Sequence, residues 1–273
     1  MIYPEEIKEV KNENGKVWVR INDDERVNLG EDFLAEFLKE NSKNKLDNAL
    51  TILNNEETKR ALESIVEHRS SDGKIMKGLL DNLEFFERYV PELKEKIKEN
   101  FGSFADSMDL SPEEIYEIAR QLGLESELEN YIFNRIRHCT YYSGELEGEV
   151  NDILKEALFF AKIYPSTIKK FATTKADEIL DFLSKSYCIL CLEKGRGYYL
   201  RDFARDIAVV ERLRGFLSEE KIQAIRAKLV ENIELVRKIV KSRSKLKNHQ
   251  IYLKAMVSLL PDEYKTQLLS YFI

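Results

Sequence analysis

Residues 219–240, EEKIQAIRAKLVENIELVRKIV, decide the fold class of this chain. Apolar side chains recur there every three or four residues, the spacing that places them on one face of a helix. The pattern predicts one continuous helix from Glu219 to Val240, with Leu200–Phe216 as its antiparallel partner and Gly215 and Ser218 between them. Its predicted buried stripe consists of Ile222, Ile225, Leu229, Ile233, Val236 and Val240.

Helical periods also fill most of the chain before this pair. Ser111-Pro112-Glu113-Glu114 combines a Ser N-cap, a Pro at the first helical position and a Glu placed to close a capping box. Gly123 is predicted to end that helix, and Gly195 to end a later one. Further helices are predicted at residues 125–138, 146–163, where Pro165 follows, and 174–192.

The amino-terminal residues show a different period. Val17, Val19 and Ile21 alternate with Trp18 and Arg20, and the preceding Asn14-Gly15 is a strong hairpin signal. We therefore expect a mainly α protein, an irregular helical bundle with a small N-terminal antiparallel β element that packs on the helices. A composition change at 101–109 predicts two parts: residues 1–105, a β-hairpin plus helical subdomain, and residues 106–273, a C-terminal helical bundle.

Composition limits the class of protein. The chain has 273 residues, 43% of them hydrophobic and 34% charged, with 11 Gly and 5 Pro, which is typical of a helix-rich globular protein with a substantial core. Its many Lys and Glu residues resemble thermophile proteins. It starts without a signal-peptide pattern and has no apolar run long enough to cross a membrane, so we expect a cytoplasmic protein that does not bind membranes.

Charge is distributed unevenly along the chain. The formal net charge is -6, yet residues 235–261 carry seven Lys or Arg and no acidic residue. Residues 101–160 instead carry thirteen acidic residues against four basic ones. The basic run predicts an anionic partner, either nucleic acid or an acidic surface, which could be another protein, this protein's own middle region or that region across a homodimer. Plain solvation of a helix face is the alternative.

A nucleic-acid backbone is a line of phosphates that Lys and Arg bind by displacing counterions. The basic run supplies the predicted phosphate contacts, and residues 194–201, KGRGYYLR, add two tyrosines that could stack on unpaired bases. The predicted nucleic-acid-binding residues are Arg196, Tyr198, Tyr199, Arg201, Arg237, Lys241, Arg243, Lys245 and Lys247.

Within the basic run, five residues separate Arg243 from His249, and Ser244 follows the Arg directly. This spacing is similar to the Arg/His motif of HEPN ribonucleases, helical proteins in which an Arg and a His from paired subunits cleave RNA without a metal. The resemblance implies that the His would move the 2′-hydroxyl proton and the Arg would stabilise the phosphorane charge. A surface His in a basic loop is the alternative interpretation.

Other motifs favour structural roles. Cys188-Ile-Leu-Cys191 has the spacing of one half of a zinc site or of a redox site, and His138 and Cys139 could complete four zinc ligands. An apolar helix surrounds the pair, however, and favours buried thiols. Three cysteines do not suggest a disulfide framework. Residues 111–138 have the outline of a helix-turn-helix whose second helix begins with carboxylates that would repel DNA, so a structural helix hairpin is expected.

Nucleotide loops, nucleophile elbows and calcium loops are not recognisable in the sequence. We expect no cofactor and no metal. The sequence favours a non-enzymatic nucleic-acid-associated binding protein, with a HEPN-like ribonuclease that uses Arg243 and His249, or a helical protein–protein adaptor, as the alternatives.

Overall fold

The computed structural model of the protein describes residues 9–13, 16–22, 25–28, 34–35, 38–39, 55–107, 109–138, 145–185, 190–191, 194 and 198–272. Within these residues the fold is mainly helical, which confirms the prediction of a mainly α protein. Backbone contacts divide the chain into two compact units, Met1–Tyr131 and Ile132–Ile273. The predicted domains at residues 1–105 and 106–273 remain a prediction.

The backbone near the amino terminus forms three strands: β1 Glu9–Glu13, β2 Lys16–Asn22 and β3 Glu25–Asn28. They pair antiparallel in the order β1-β2-β3. Their side chains lie outside the described residues, so the prediction that a β element packs on the helices stays a prediction.

The first unit consists of short helices around an apolar core. Gly78 lies against the carbonyl oxygen of Leu38, at only 2.4 Å from where a Cβ would lie, so this position has no space for a side chain. The helices are α1 Asn55–His68, α2 Gly73–Asp81, α3 Leu83–Phe86, α4 Leu93–Glu99, α5 Phe101–Ala105, α6 Pro112–Leu122 and the first part of α7, Glu125–His138.

The capping signals at the two ends of α6 are confirmed. Ser111 Oγ accepts from Glu114 N at 3.2 Å, and Glu114 Oε2 accepts from Ser111 N at 2.9 Å. The bond from the backbone N–H of Ser111 has the largest effect in lowering the pKa of the Glu114 carboxyl, and a bond from the Ser111 hydroxyl to the same oxygen at 3.0 Å lowers it further. Gly123 ends the helix at φ 70°, a conformation that glycine adopts without steric cost.

The second unit is a helical bundle around a continuous apolar core. Leu229, Val236 and Val240 of the predicted stripe are among the buried residues of this core, together with Leu200 and Leu253 from other helices. Its helices after α7 are α8 Leu146–Phe160, α9 Pro165–Ser184, α10 Tyr198–Arg212, α11 Glu219–Glu231, α12 Ile233–Arg243, α13 Lys247–Leu259 and α14 Asp262–Leu269, with short 3-10 turns at Arg214–Phe216 and Ser270–Phe272.

Two helices differ from the prediction. The expected single helix at 219–240 is two helices, because Asn232 leaves helical geometry at φ -109° and its side-chain Nδ2 donates to Lys228 O at 2.8 Å. The predicted helix at 174–192 begins at Pro165 and ends at Ser184. Proline lacks an N–H but fits the first turn of a helix, so it starts α9 as well as separating α9 from α8.

Candidate nucleic-acid interface

The central part of the basic run, residues 241–249, forms a corner between two helices, which we call the basic corner. It contains the last turn of α12, the turn at 244–246 and the first turn of α13. Leu246 N donates to Arg243 O at 2.9 Å, and Gln250 Nε2 donates to Ser244 O at 3.1 Å, so the backbone of the turn is held from both sides. Lys241 and Arg243 lie where the α12 dipole favours positive charge.

Three cations of the basic corner project into solvent. Lys241, Lys245 and Lys247 are exposed, and none of them forms an ion pair with any residue that the structure describes. Exposed lysines are individually common on protein surfaces. Three of them within seven residues, without an intervening carboxylate, create a local positive potential in a chain with a net charge of -6.

Arg237 lies one turn before the corner and has nearby partners. Its Nη1 lies 2.6 Å from Glu234 Oε1, and its guanidinium lies 5.9 Å from the centre of the Tyr264 ring. The Glu234 side chain is largely exposed, and an exposed pair at this spacing contributes only about 0.3–0.5 kcal/mol. A phosphate could therefore displace Glu234 at small cost.

Arg243 and His249 lie on the two helices of the corner, and Tyr252 is in contact with both. His249 Nδ1 lies 2.8 Å from the hydroxyl oxygen of Tyr252, and the Arg243 guanidinium is hydrogen-bonded to the same tyrosine. Burial lowers the pKa of His249, and the positive charge of Arg243 lowers it further. Burial raises the pKa of Tyr252, while its hydrogen bond with Arg243 acts in the opposite direction.

This Arg–Tyr–His cluster has definite chemical properties. A lowered pKa keeps the His249 imidazole neutral at neutral pH, the form that can accept a proton. The planar guanidinium of Arg243 beside it has the geometry that suits an anionic group such as phosphate. The sequence motif identified Arg243 and His249. It did not identify Tyr252, because a tyrosine within an apolar helical stripe is interpreted as a core residue.

The second predicted basic segment is only partly described. Arg196 lies outside the described residues, as do the side chains of Tyr198 and Tyr199, whose backbone begins α10. Arg201 is half exposed, and its guanidinium is paired with the buried carboxylate of Glu149 on α8. Whether this segment and the basic corner form one surface remains a prediction.

Buried ion pairs inside the second unit were not expected from sequence. Arg135 is 0% exposed and binds Glu156 through two hydrogen bonds, Nε to Oε2 at 2.8 Å and Nη2 to Oε1 at 2.9 Å. The two residues are 21 positions apart, so no local motif predicts the pair. The negative charge of Glu156 is therefore compensated within the fold.

A second buried charge cluster joins α9 and α10. Lys175 Nζ lies 2.6 Å from Glu178 and 3.3 Å from Asp206, and Arg205 Nε lies 3.2 Å from the same oxygen of Asp206. Burial raises the pKa of Asp206 to about 6, although Lys175 and Arg205 both favour its ionised form. With its charges paired across two helices, this cluster acts as a structural connection between them.

The cysteine motif is largely outside the description. Cys191 is half-buried with a free thiol, whereas Cys139 and Cys188 lie outside the described residues. In the described part of the chain, no group of three or more His, Cys, Asp or Glu side chains is placed to hold a metal ion. None of its helices is long and apolar enough to span a membrane.

Comparison with protein-family models, with curated proteins and with solved structures found no match to this chain.

Proposed function

We propose that the protein binds nucleic acid through the phosphates that contact the basic corner. The observation that carries the proposal is the exposure of Lys241, Lys245 and Lys247 without a carboxylate partner among the described residues. Arg237, one turn earlier on α12, and Arg243, which contacts Tyr252, add positive charge near these lysines. An acidic protein surface would be the alternative anionic partner.

Counterion release gives this proposal a quantitative signature. Each phosphate that a Lys neutralises adds about -0.9 to the slope of log affinity against log salt on duplex DNA. If the three lysines each contact one phosphate, they contribute about -2.7 to the slope. A surface that only solvates the fold would contribute nothing.

The test replaces all three corner lysines by Gln and compares the variant with a matched control. The control carries Lys162→Gln, Lys169→Gln and Lys170→Gln, three exposed lysines on or near α9 of the same unit. Both variants lose the same charge, so only the position differs. We expect the corner variant to lose affinity and two to three units of slope, about 0.9 per lysine, and the control to keep both. Equal losses in the two variants would contradict the proposal.

A second candidate function is metal-independent RNA cleavage, favoured by the contact of both Arg243 and His249 with Tyr252. In this reaction the neutral imidazole of His249 takes the 2′-hydroxyl proton and the 2′ oxygen attacks phosphorus. The bond to the 5′ oxygen breaks, and that oxygen takes the proton back from the His249 imidazolium, which leaves a cyclic phosphate, a 5′-hydroxyl and a neutral imidazole. Arg243 stabilises the charge on the phosphorane.

Incubation with RNA in excess chelator tests this candidate. We expect cleavage by the unaltered protein and loss of cleavage after His249→Ala. Exposed His68 in the first unit serves as the control substitution, His68→Ala. Cleavage that survives His249→Ala, or no cleavage by the unaltered protein, would rule out the assignment and leave the binding function as the proposal.

A further inference from the structure

Leu246 is an exposed apolar residue at the tip of the basic corner. Leu246 is 51% exposed. Among the described residues, only three other large hydrophobic residues have comparable exposure: Leu158, Leu190 and Leu269. Leu246 also occupies the N-cap position of α13 and makes no side-chain capping bond. Ser, Thr, Asp or Asn is the usual residue there, because its oxygen satisfies a free N–H of the first turn.

A leucine at this position therefore costs the fold stability. An apolar residue is a poor N-cap, so the first turn of α13 is less stable than it would be with Ser or Asp there, and half of the leucine surface gains nothing from burial. Helices that start without a side-chain cap are common among the described residues, for example at Tyr164 and Pro261, so it is the exposure of Leu246 together with its poor fit to the N-cap that suggests another purpose.

The neighbours of Leu246 indicate what it contacts. Exposed Lys245 and Lys247 flank it directly, and exposed Lys241 lies on the preceding turn of helix. An apolar side chain among cations complements a ligand with a negative surface and an apolar interior. Duplex DNA has both, since phosphates line its grooves and apolar side chains can enter between its stacked base pairs.

Two other anionic ligands fit less well. A single leucine buries far less apolar surface than an acyl chain, and even one long acyl chain gives only marginal membrane attachment. Single-stranded nucleic acid is bound through exposed aromatic rings on which bases stack. The described residues of the corner offer no fully exposed ring, because His249 is half-buried against Tyr252, which is itself buried.

We propose that Leu246 inserts between two adjacent base pairs from the minor groove of duplex DNA while the lysines beside it hold the phosphates on either side. This inference rests on the proposed nucleic-acid binding and names its substrate as deformable duplex DNA. Pyrimidine–purine steps such as TA unstack most easily and are the preferred sites. The wide, shallow minor groove of duplex RNA does not enclose a side chain in the same way.

The test uses the full chain and a short DNA duplex with 2-aminopurine at a central TA step. The fluorescence of this base rises when it unstacks. We expect the unaltered protein to raise the fluorescence, and Leu246→Ser to remove the rise and to weaken binding about tenfold or more, the effect of withdrawing one buried leucine. The salt slope stays unchanged in this variant, because no cation is lost. The control is Leu158→Ser on α8, where leucine is 50% exposed.

A thermal melt of the same variants separates function from folding. Leu246→Ser introduces a good N-cap, so its melting temperature should equal or exceed that of the unaltered protein. A lower melting temperature together with weaker binding would assign Leu246 a structural role and overturn the inference.

The remaining outcomes distinguish the two proposals. Salt-dependent DNA binding with the same fluorescence rise before and after Leu246→Ser would overturn the insertion and leave phosphate binding intact. No binding of any nucleic acid at low salt would overturn both. An equal response on duplex RNA would overturn the choice of DNA, and Leu246-dependent binding to phosphatidylserine vesicles without DNA binding would replace it by a membrane surface.

Discussion

The basic corner and the buried charge clusters of the second unit both contain lysine or arginine side chains, but these side chains have opposite environments in the two regions. Lys175 and Arg135 lie inside the bundle, each paired with carboxylates from another helix. Lys241, Lys245 and Lys247 lie on the surface without such partners among the described residues. The net charge of a segment therefore says little about function until the structure shows which cations the protein itself neutralises.

The largest expected effect comes from breaking the most deeply buried pair. Arg135→Met leaves the Glu156 carboxylate buried without its cation and should lower the free energy of unfolding by about 3–5 kcal/mol. Urea denaturation measures it, with the exposed Arg137→Met as control. Arg135→Met combined with Glu156→Leu should recover most of the loss, because it removes both charges. A single variant as stable as the control would show that this pair contributes no more than a surface charge.

The next effect is pH dependence. Because burial raises the pKa of Asp206 to about 6, its folded carboxyl keeps a proton that the unfolded chain releases near its ordinary pKa of about 3.9. The protonated Asp206 carboxyl therefore stabilises the folded state fully below pH 4, and this contribution is lost as the pH rises through 6. The free energy of unfolding decreases by about 2–3 kcal/mol over this range. Burial is the main cause of this raised pKa; of the charged groups that face the carboxyl, Glu178 raises the pKa further, whereas Lys175 and Arg205 lower it.

Urea denaturation at several pH values between 4 and 7 checks this contribution. Other carboxylates, such as Glu114 with its lowered pKa, act in the opposite direction, so the comparison is between the unaltered protein and Asp206→Asn. The variant cannot titrate at this position and should lack the decrease. Parallel pH profiles for the two proteins would contradict the assignment.

Arg201 was predicted to bind nucleic acid, but its pairing with a buried carboxylate favours a structural role. Its partner Glu149 is buried, so Arg201→Gln should lower the free energy of unfolding by about 1–2 kcal/mol through the carboxylate left without its cation. Its effect on nucleic-acid affinity should be small beside that of the corner lysines. A variant with unchanged stability and reduced affinity would instead place Arg201 with the basic corner.

The smallest expected effect on stability is at the basic corner itself. Replacing Lys241, Lys245 and Lys247 one at a time by Gln should change the free energy of unfolding by less than about 0.5 kcal/mol each, as is usual for surface positions. Thermal and urea melts measure this. A loss of several kcal/mol at any of them would mean that the lysine is paired inside the fold and would remove it from the interface.

Sequence predicted the local parts of this fold well. The capping box of Ser111 and Glu114 and the Gly123 end of α6 depend on residues within one or two turns of each other. So does the core stripe, of which Ile225, Leu229, Val236 and Val240 are buried, whereas Ile222 and Ile233 are only partly buried. The helix break at Asn232 was not predicted, because the apolar period continues on both sides of it. The Asn232 side chain bonds to the backbone at the end of α11, a competition with helical structure that the period does not reveal. Pro165 was interpreted as a stop although proline also starts helices.

The candidate site was predictable only in part. The acid-free run pointed to Lys241, Lys245 and Lys247, and the spacing pointed to Arg243 and His249. Tyr252 was not predictable, because its contacts depend on how α12 and α13 meet. Leu246 was not predicted as a binding residue either, because a leucine in a sequence is interpreted as a core residue until its exposure and its N-cap position are known.

Amine-reactive labelling of lysines, read by mass spectrometry with and without duplex DNA at low salt, tests the central claim most directly. Our account predicts that Lys241, Lys245 and Lys247 react readily in the free protein and become protected when DNA is bound, while Lys162, Lys169 and Lys170 react equally in both. Corner lysines that are already protected in the free protein, or that react at the same rate with bound DNA, would contradict it.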